Sequence, residues 1–473
     1  MIPYSNTFLA ALDEQIRPAG RCYIHFLFLA DQTEYVVPEE LIQSVNTVTS
    51  GDPLSRELPT EACDVVLIDY DQIWNPDNLA GLYAKMDGGA LVTIRFGIET
   101  DPEDPDVVEW GPDLKYYTMS QPSWSSYVVT FSATRALGLM SMPFRRFSGS
   151  VNNLELLTDA ILTEADRPDV IQTPGYVDFS RRLSHIPVID HTDLRGYTAA
   201  DALLAVCVAG MCCVRTSYAG DIVLADYYGT GPQVVEEVVK SDDMMEYPVS
   251  DRLPLVRDEV VSVLSNPESA GSTETLLEIS VANNIPASAL FELTMSCVPG
   301  TVTVSITNAE PGYSVSVYRG WIEVAGLVLS DPTSPAIITA TGKPQRMSET
   351  VQTHGINHSP GVEDEEVSNP LINDDNWNDI AQYRGGYLSN TRSKYSINYR
   401  GNPSFEPYDL VRIELPFLGF QTCIVLESQF TFAEGFSGTL LVRRLDTLRN
   451  DQKTHIAVSD LAVSDDSISD SYS

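Results

Sequence analysis

Positive charge is scarce in this sequence of 473 residues, where 29 lysines and arginines face 66 aspartates and glutamates for a formal charge of −37. A surface this negative repels phosphate backbones and anionic lipid, which excludes tight nucleic-acid binding as the main task and leaves transient passage of nucleic acid open. Long hydrophobic runs are missing as well. Phe8 to Leu12, the longest apolar run near the N-terminus, is too short for a signal sequence, and no basic residue precedes it, so secretion by that route is not expected. Even Leu203 to Val214 falls short of the ~20 apolar residues a bilayer span requires, so no stable membrane association is expected.

Cysteine is sparse and unpaired in pattern. Cys22, Cys63, Cys207, Cys212, Cys213, Cys297 and Cys423 make an odd number with no CxxC spacing, which reads as reduced, mostly buried thiols made in a cytoplasm. The neighbours Cys212 and Cys213 are expected to close an alanine-rich helix and pack in a core. Nucleotide-cradling loops are absent: neither GxxxxGK[ST] nor GxGxxG after a strand occurs. Of the six histidines, none sits in HExxH, and no GxSxG serine elbow is present.

The remaining chemical candidates are thin. His354 and His358 would face one metal ion together on a helix, with Glu363, Asp364, Glu365 and Glu366 following. Gly355, Asn357, Ser359, Pro360 and Gly361 argue against that helix and for a polar loop, so no metal and no cofactor is expected. Asp69 and Asp71 would share a face if both lay on a strand, as a glycosidase pair requires. An Asp bonded to turn amides near Asn75-Pro76-Asp77-Asn78 is the stronger reading. Trp74, Trp110, Tyr116, Tyr117, Trp124 and Tyr127 fit a sugar groove less well than core or interface anchors. The pairs Arg145-Arg146, Arg181-Arg182 and Arg443-Arg444 are expected to bind carboxylates of neighbouring elements or subunits. No catalytic residue is expected.

What is present is a foldable chain. Hydrophobic residues make up 43% and charged residues only 20%, so the sequence is globular, and its length suggests two to four domains with their own cores. Arg21 to Phe28, Val65 to Asp69 and Leu91 to Ile98 are β-branched and aromatic runs separated by turn residues. Leu276 to Ala340 adds a second β region, with alternation in Thr301 to Ala309, reading as a barrel or sandwich with one wet face. Helical periodicity is confined to Asn152 to Thr163, Ala199 to Cys212 and Asp374 to Arg392, the last capped by Asn373 or Asp374. Glu99 to Pro112 reads as a projecting loop and Val458 to Ser473 as an acidic disordered tail. No internal repeat is visible. The fold class expected is mainly β with minor α (α+β).

Four phrases, in chain order, resemble the tail-hub or baseplate-hub (tail tip) proteins of long-tailed bacteriophages. The first, Glu57 to Glu99, ends a strand in an acidic-aromatic turn and leads through glycines to another strand; Lys115 to Met140 follows with an aromatic hairpin. Ile186 to Asp226 is similar to the family's alanine-rich helix and hairpin. Val367 to Asn373, Tyr395 to Pro416 (YSINYRGNPSFEPYDLVRIELP) and Phe430 to Leu445 resemble its closing segment. Tyr408 stands where the family often has glycine, so that turn is expected to differ.

The resemblance implies tail-tube-like β-barrel domains plus smaller mixed domains. They are expected at residues 1–150 (first tube-like barrel), 151–255 (mixed α/β), 256–345 (second β-barrel or sandwich) and 346–457 (closing α+β unit), before the tail at 458–473. It further implies a structural virion protein, a homotrimer at the tail tip, assembled in the host cytoplasm. Its implied partners are the distal tail protein, the tape measure protein and a tail fibre or receptor-binding protein, with phage DNA passing through the lumen. Negative charge is expected to gather on the lumen-facing strands. Two alternatives differ in class: a distal-tail or baseplate ring protein binding host carbohydrate through Leu276 to Ala340, and a tail-associated enzyme degrading cell wall.

Overall fold

Alternation with period two drives most of the chain into strands: in Gly20–Phe28 every second residue from Cys22 to Phe28 is buried. The computed structural model describes residues 2–14, 19–53, 57–101, 104, 106–118, 120–140, 153–164, 194, 197–226, 238–252, 259–269, 271–295, 297–318, 320–355, 365–372, 376–390, 393–415, 418–433 and 435–445. Their architecture is mainly β with few helices, as the sequence suggests.

The N-terminal strands are β1 (Gly20–Phe28), β2 (Glu34–Val36), β3 (Ile42–Ser50), β4 (Thr60–Ile68), β5 (Ala90–Glu99), β6 (Val108–Trp110), β7 (Leu114–Thr118), β8 (Ser123–Ser125) and β9 (Val128–Thr134). They run antiparallel in the order β3-β4-β9-β7-β5-β1-β2, with β6 on β5 and β8 on β9. Phe26 and Phe28 of β1, Val45 of β3, Val65 of β4, Phe96 of β5 and Phe131 of β9 converge with Trp74 on one core, so this half of the sheet curls around its own inner face. Helix α1 (Asn6–Leu12), capped by Ser5, adds Phe8 to that core. The loop expected from Glu99 to Pro112 is partly strand: β6 folds back on β5. Gly97 permits this, because a Cβ there would lie 2.7 Å from Val108 Cγ1.

A helical unit follows, with α2 (Leu154–Glu164), α3 (Ala199–Ala209), β10 (Cys212–Thr216) and β11 (Ile222–Asp226). Thr198 and Asp201 form a capping box that starts α3. This helix stops earlier than its apolar periodicity suggests. Met211 takes the left-handed φ of 54°, so Cys212 and Cys213 open a strand instead of closing the helix. All seven cysteines are buried and none is joined in a disulfide.

Next come β12 (Val238–Val239), β13 (Val249–Arg252) and β14 (Glu259–Ser269), then β15 (Glu274–Val281), β16 (Ile285–Glu292), β17 (Thr303–Ile306), β18 (Ser314–Val317), β19 (Trp321–Leu327) and β20 (Ala336–Gly342). Strands β15 to β20 form two three-stranded sheets sharing a core of Leu276, Ile322, Val324, Ile338 and Ala340, in line with the expected sandwich. Beyond them lie β21 (Gln345–Gly355), β22 (Glu365–Ser368) and α4 (Trp377–Asn390). β14 pairs with both β21 and β22.

The last strands are β23 (Ser393–Tyr399), β24 (Leu410–Leu415), β25 (Gly419–Phe432) and β26 (Phe436–Arg444). They extend the N-terminal sheet, which reads β13-β23-β26-β25-β3 on that side. Segments expected in separate units, 1–150 and 346–457, therefore share one hydrogen-bonded sheet, with Glu427 to Phe432 of β25 paired to Ser50 to Val45 of β3. The sequence CIVLESQFTF explains how β25 serves two places. A register shift between Val425 and Glu427 inserts one residue. The side facing inward changes parity there: Cys423 and Val425 enter the core around β23 to β26, whereas Phe430 and Phe432 enter the N-terminal core.

Candidate functional site

The sequence candidates land in different places. Asp69 lies just past β4, in the turn, and is buried. Its Oδ1 accepts from the Ile73 amide at 2.8 Å, and its Oδ2 accepts from the Trp74 amide at 3.0 Å and the Trp124 indole at 2.9 Å. Asp71 is exposed in the turn, so the two carboxylates are not a strand pair. The carboxylate of Asp69 is engaged by two turn amides and the Trp124 indole. Trp74, Tyr116 and Tyr117 are buried, so the six aromatics do not form one exposed sugar groove. His354 is a strand residue of β21, opposite Val260, in place of the polar loop expected there; His358, Arg145, Arg146, Arg181, Arg182 and the 458–473 tail lie outside the described residues. Asn373 and Asp374, the expected caps of α4, also lie outside them. Among the described residues, no group of three or more His, Cys, Asp or Glu is placed to hold a metal ion, and no helix is long and apolar enough to cross a membrane. Arg443 does bind a carboxylate, Asp52 Oδ2 at 2.7 Å, and lies over the Tyr387 ring of α4.

A charged junction that sequence reasoning missed sits at the seam of three segments. Arg135, just after β9, donates from Nη1 to Glu406 Oε1 at 2.9 Å and to the Thr216 carbonyl at 3.1 Å, and its guanidinium lies 5.2 Å from the Tyr116 ring centroid. Arg215 of β10 donates to Asp409 Oδ1 at 3.2 Å and to the Pro407 carbonyl at 2.7 Å, with Glu406 Oε2 at 3.6 Å. Glu61 of β4 accepts from the Thr216 amide at 2.6 Å and the Thr216 hydroxyl at 2.5 Å. Asp409 Oδ2 accepts from the Glu406 amide at 2.9 Å, which closes the 406–409 turn on itself. Every one of these charged side chains is buried.

Burial and neighbours act on these groups in opposite directions. Burial pushes the Glu61 carboxyl up to about 7, against the Arg135 charge and the two Thr216 bonds. For Glu406 burial also works upward, but the charges of Arg215 and Arg135 outweigh it and hold the carboxyl below its usual range. Burial works against the charge on Arg135 too, yet Tyr116, Glu406 and Glu61 raise it above the ordinary guanidinium value. The junction holds its charges through mutual pairing and has no nucleophile set against a base. Chemically it is a fastener: removing Arg135, Arg215, Glu406 or Asp409 leaves an uncompensated buried charge, at a cost of about 3–5 kcal/mol. A faint signal lay in the sequence, namely single charges within apolar text, Glu61 in TEAC and Arg215 in CCVRT.

The turn carrying Glu406 and Asp409 holds the tyrosine that the resemblance set against a glycine. Tyr408 adopts φ of 70°, the left-handed conformation glycine favours, so the turn keeps a glycine-like backbone despite its tyrosine. The side chain is buried among Met211, Cys213, Ile380, Tyr387 and Leu426. Room for it comes from Gly51 at the end of β3, where a Cβ would stand 2.3 Å from the Tyr408 hydroxyl oxygen.

Two apolar groups face solvent. Met245, Tyr247 and Val249 alternate along the approach to and start of β13, the end strand of the large sheet, and Tyr247 is 84% exposed. Tyr70, Leu79 and Tyr127 project from the loops that Asp69 organises; the Asp69 amide donates to the Tyr127 carbonyl at 2.8 Å, and Ser126 and Tyr127 both take positive φ in the hairpin turn.

No family model matches the chain, and no curated protein matches it. Solved structures do resemble it. A tail protein from Neisseria meningitidis aligns at 10% identity and a TM-score of 0.46, covering 91% of this chain and 98% of that one. A 43 kDa tail protein of a prophage from Shewanella oneidensis aligns at 11% identity and TM-score 0.47, covering 90% and 100%. A prophage tail protein from Listeria monocytogenes aligns at 8% identity and TM-score 0.43, covering 93% and 99%. The structural neighbours are thus tail proteins of phages and prophages.

Proposed function

We propose that this chain is a structural hub protein at the distal end of a phage tail tube, working as a homotrimer. One observation carries the reading: each of the four phrases that resemble tail hubs supplies members of the one buried junction. Glu61 comes from the first, Tyr116 and Arg135 from the second, Arg215 and Thr216 from the third, and Glu406 and Asp409 from RGNPSFEPYD in the fourth. Residues scattered over some 350 positions meet in a single fastening point, which is what an ordered family pattern serves and a chance set of phrases does not.

In this reading, segments 1–150 and 346–457 build the tube-like part of each protomer, and 151–255 and 256–345 decorate it. The exposed stripe of Met245, Tyr247 and Val249 on the end strand of the sheet suits contact with a neighbouring copy. The ring docks the distal tail protein, the end of the tape measure protein and a fibre or receptor-binding protein, and it lets DNA out during ejection. None of these tasks requires a catalytic group. Assembly takes place in the host cytoplasm and the finished protein resides at the virion tail tip.

The test is mass measurement of the purified protein followed by imaging of labelled particles. A trimer located at the tail tip is expected. A monomer that is absent from virions overturns the proposal.

A further inference from the structure

Building on the hub reading, we infer that the outer face of β26, β25, β3, β4 and β9 is the wall along which the DNA travels, and that this wall avoids adhesion by carrying no exposed cation and few charges of either sign. Register places its side chains in rows. Ser437, Thr431, Asn46, Asp64 and Ser132 lie directly opposite one another across the five strands. Thr439, Gln429, Val48, Ala62 and Thr134 make the next row. Residues of the opposite parity on the same strands, Val45, Phe430, Val65, Phe131 and Leu440, point into the cores on the other side.

The rows are wet: Asp64 and Ser132 are exposed and the others half-buried. Their polar groups bond sideways to each other. Thr431 Oγ1 donates to Asn46 Oδ1 at 3.0 Å, Gln429 Nε2 to the same oxygen at 3.4 Å, and Ser132 Oγ to Asp64 Oδ1 at 2.7 Å. Across both rows Asp64 is the only charge and no lysine or arginine appears; Glu427, opposite Ser50 in the adjoining row of the same face, adds a second carboxylate.

That composition excludes the usual users of a sheet face. The core of a protein interface is enriched in aromatics, Met and Arg and depleted of Ser and Ala. A surface that grips nucleic acid needs basic residues to release counterions and aromatic rings for stacking. An ordinary exterior carries about 25–35% charged residues, whereas Asp64 and Glu427 are the two that this face takes from the 66 carboxylates of the chain. A hydrated hydroxyl and amide surface suits a polyanion that must pass without being held. Because most of the carboxylates are elsewhere, DNA is also spared a strongly repulsive constriction. The strands proposed to face DNA are therefore sparsely charged, in contrast to the gathering of negative charge expected from net charge alone.

The experiment uses intact virions. The triple substitution Asn46→Lys, Thr431→Lys and Ser132→Lys places three cations on the wall, and ejection is triggered in vitro and followed by DNA-dye fluorescence. The variant is expected to eject at least tenfold more slowly at low salt and to recover as salt rises, because each added phosphate contact steepens the salt dependence by about 0.9 in log–log slope. A ring at the tail tip whose variant ejects at the wild-type rate at all salt concentrations overturns this inference and leaves the hub reading standing. A milder variant, Ser132→Cys, serves as an independent check. Its thiol should resist a bulky maleimide in the intact particle and react in the purified protein, and labelling in the intact particle overturns the placement. Absence of the protein from virions overturns the hub reading and this inference together.

Discussion

Gly51→Ala is the sharpest test of how the Tyr408 turn is built. A Cβ at position 51 would meet the Tyr408 hydroxyl oxygen at 2.3 Å and Cζ at 2.7 Å, well inside contact distance. Tyr408 is buried and its backbone is fixed by its amide bond to the Val425 carbonyl at 2.8 Å, so the ring has little freedom to yield. Overpacking of this kind costs about 1–3 kcal/mol. The reciprocal change, Tyr408→Gly, should lose about 3–5 kcal/mol of aromatic packing and regain about 1–2 kcal/mol from relief of the left-handed backbone. In the double variant the alanine has nothing to strike and becomes nearly neutral. The two substitutions should therefore be non-additive by about 1–3 kcal/mol, measurable as shifts in urea denaturation followed by tryptophan fluorescence. Additive losses would refute the claim that Gly51 is there to admit Tyr408.

Three further outcomes follow from the geometry. The folded protein holds the Glu61 proton to about pH 7, whereas the unfolded chain releases it near the ordinary 4.5, so this stabilisation is complete below 4.5 and lost as pH rises to about 7. It amounts to about 3 kcal/mol at most, and thermal melts between pH 5 and 8 should show the slope in the wild type and its flattening in Glu61→Gln. Asp69→Ala strands two backbone amides and the Trp124 indole, so a loss of about 2–4 kcal/mol is expected, read as a lower melting temperature; an unchanged melt would contradict the assigned role. Tyr247→Asp on the exposed stripe should lower the oligomer mass in native mass spectrometry while leaving the circular dichroism of the protomer intact, and an unchanged mass would remove the stripe from the interface.

Local features were legible wherever pattern determines structure. Strands such as Gly20–Phe28 and Ala90–Glu99 announce themselves through alternation, α3 through its apolar periodicity, and Asp69 through its position before a run of turn residues. Two kinds of information were hidden. The first is long-range pairing: nothing within CIVLESQFTF says that its second half pairs with Ile42–Ser50, because strand partners are chosen by cores and register and not by local text. The second is the junction. Glu61, Arg135, Arg215, Glu406 and Asp409 are unremarkable one at a time, and each becomes tolerable in a core only because the others arrive there. The end of α3 was misread for a related reason: Cys212 and Cys213 continue its apolar periodicity, but the left-handed Met211 turns the chain into a strand.

The double service of β25 bears on how the chain reaches its fold. Thr47 bonds the carbonyl of Phe430, 383 positions downstream, and the N-terminal core is completed only when Phe430 and Phe432 arrive. During synthesis, β3 emerges hundreds of residues before its partner, with one edge open and part of its apolar face uncovered. Contacts of such long sequence separation form slowly, and open edges recruit foreign strands while they wait. Truncations ahead of β25 should accordingly give aggregating fragments and not a smaller folded domain, and productive folding should benefit from chaperone protection of the nascent N-terminal half.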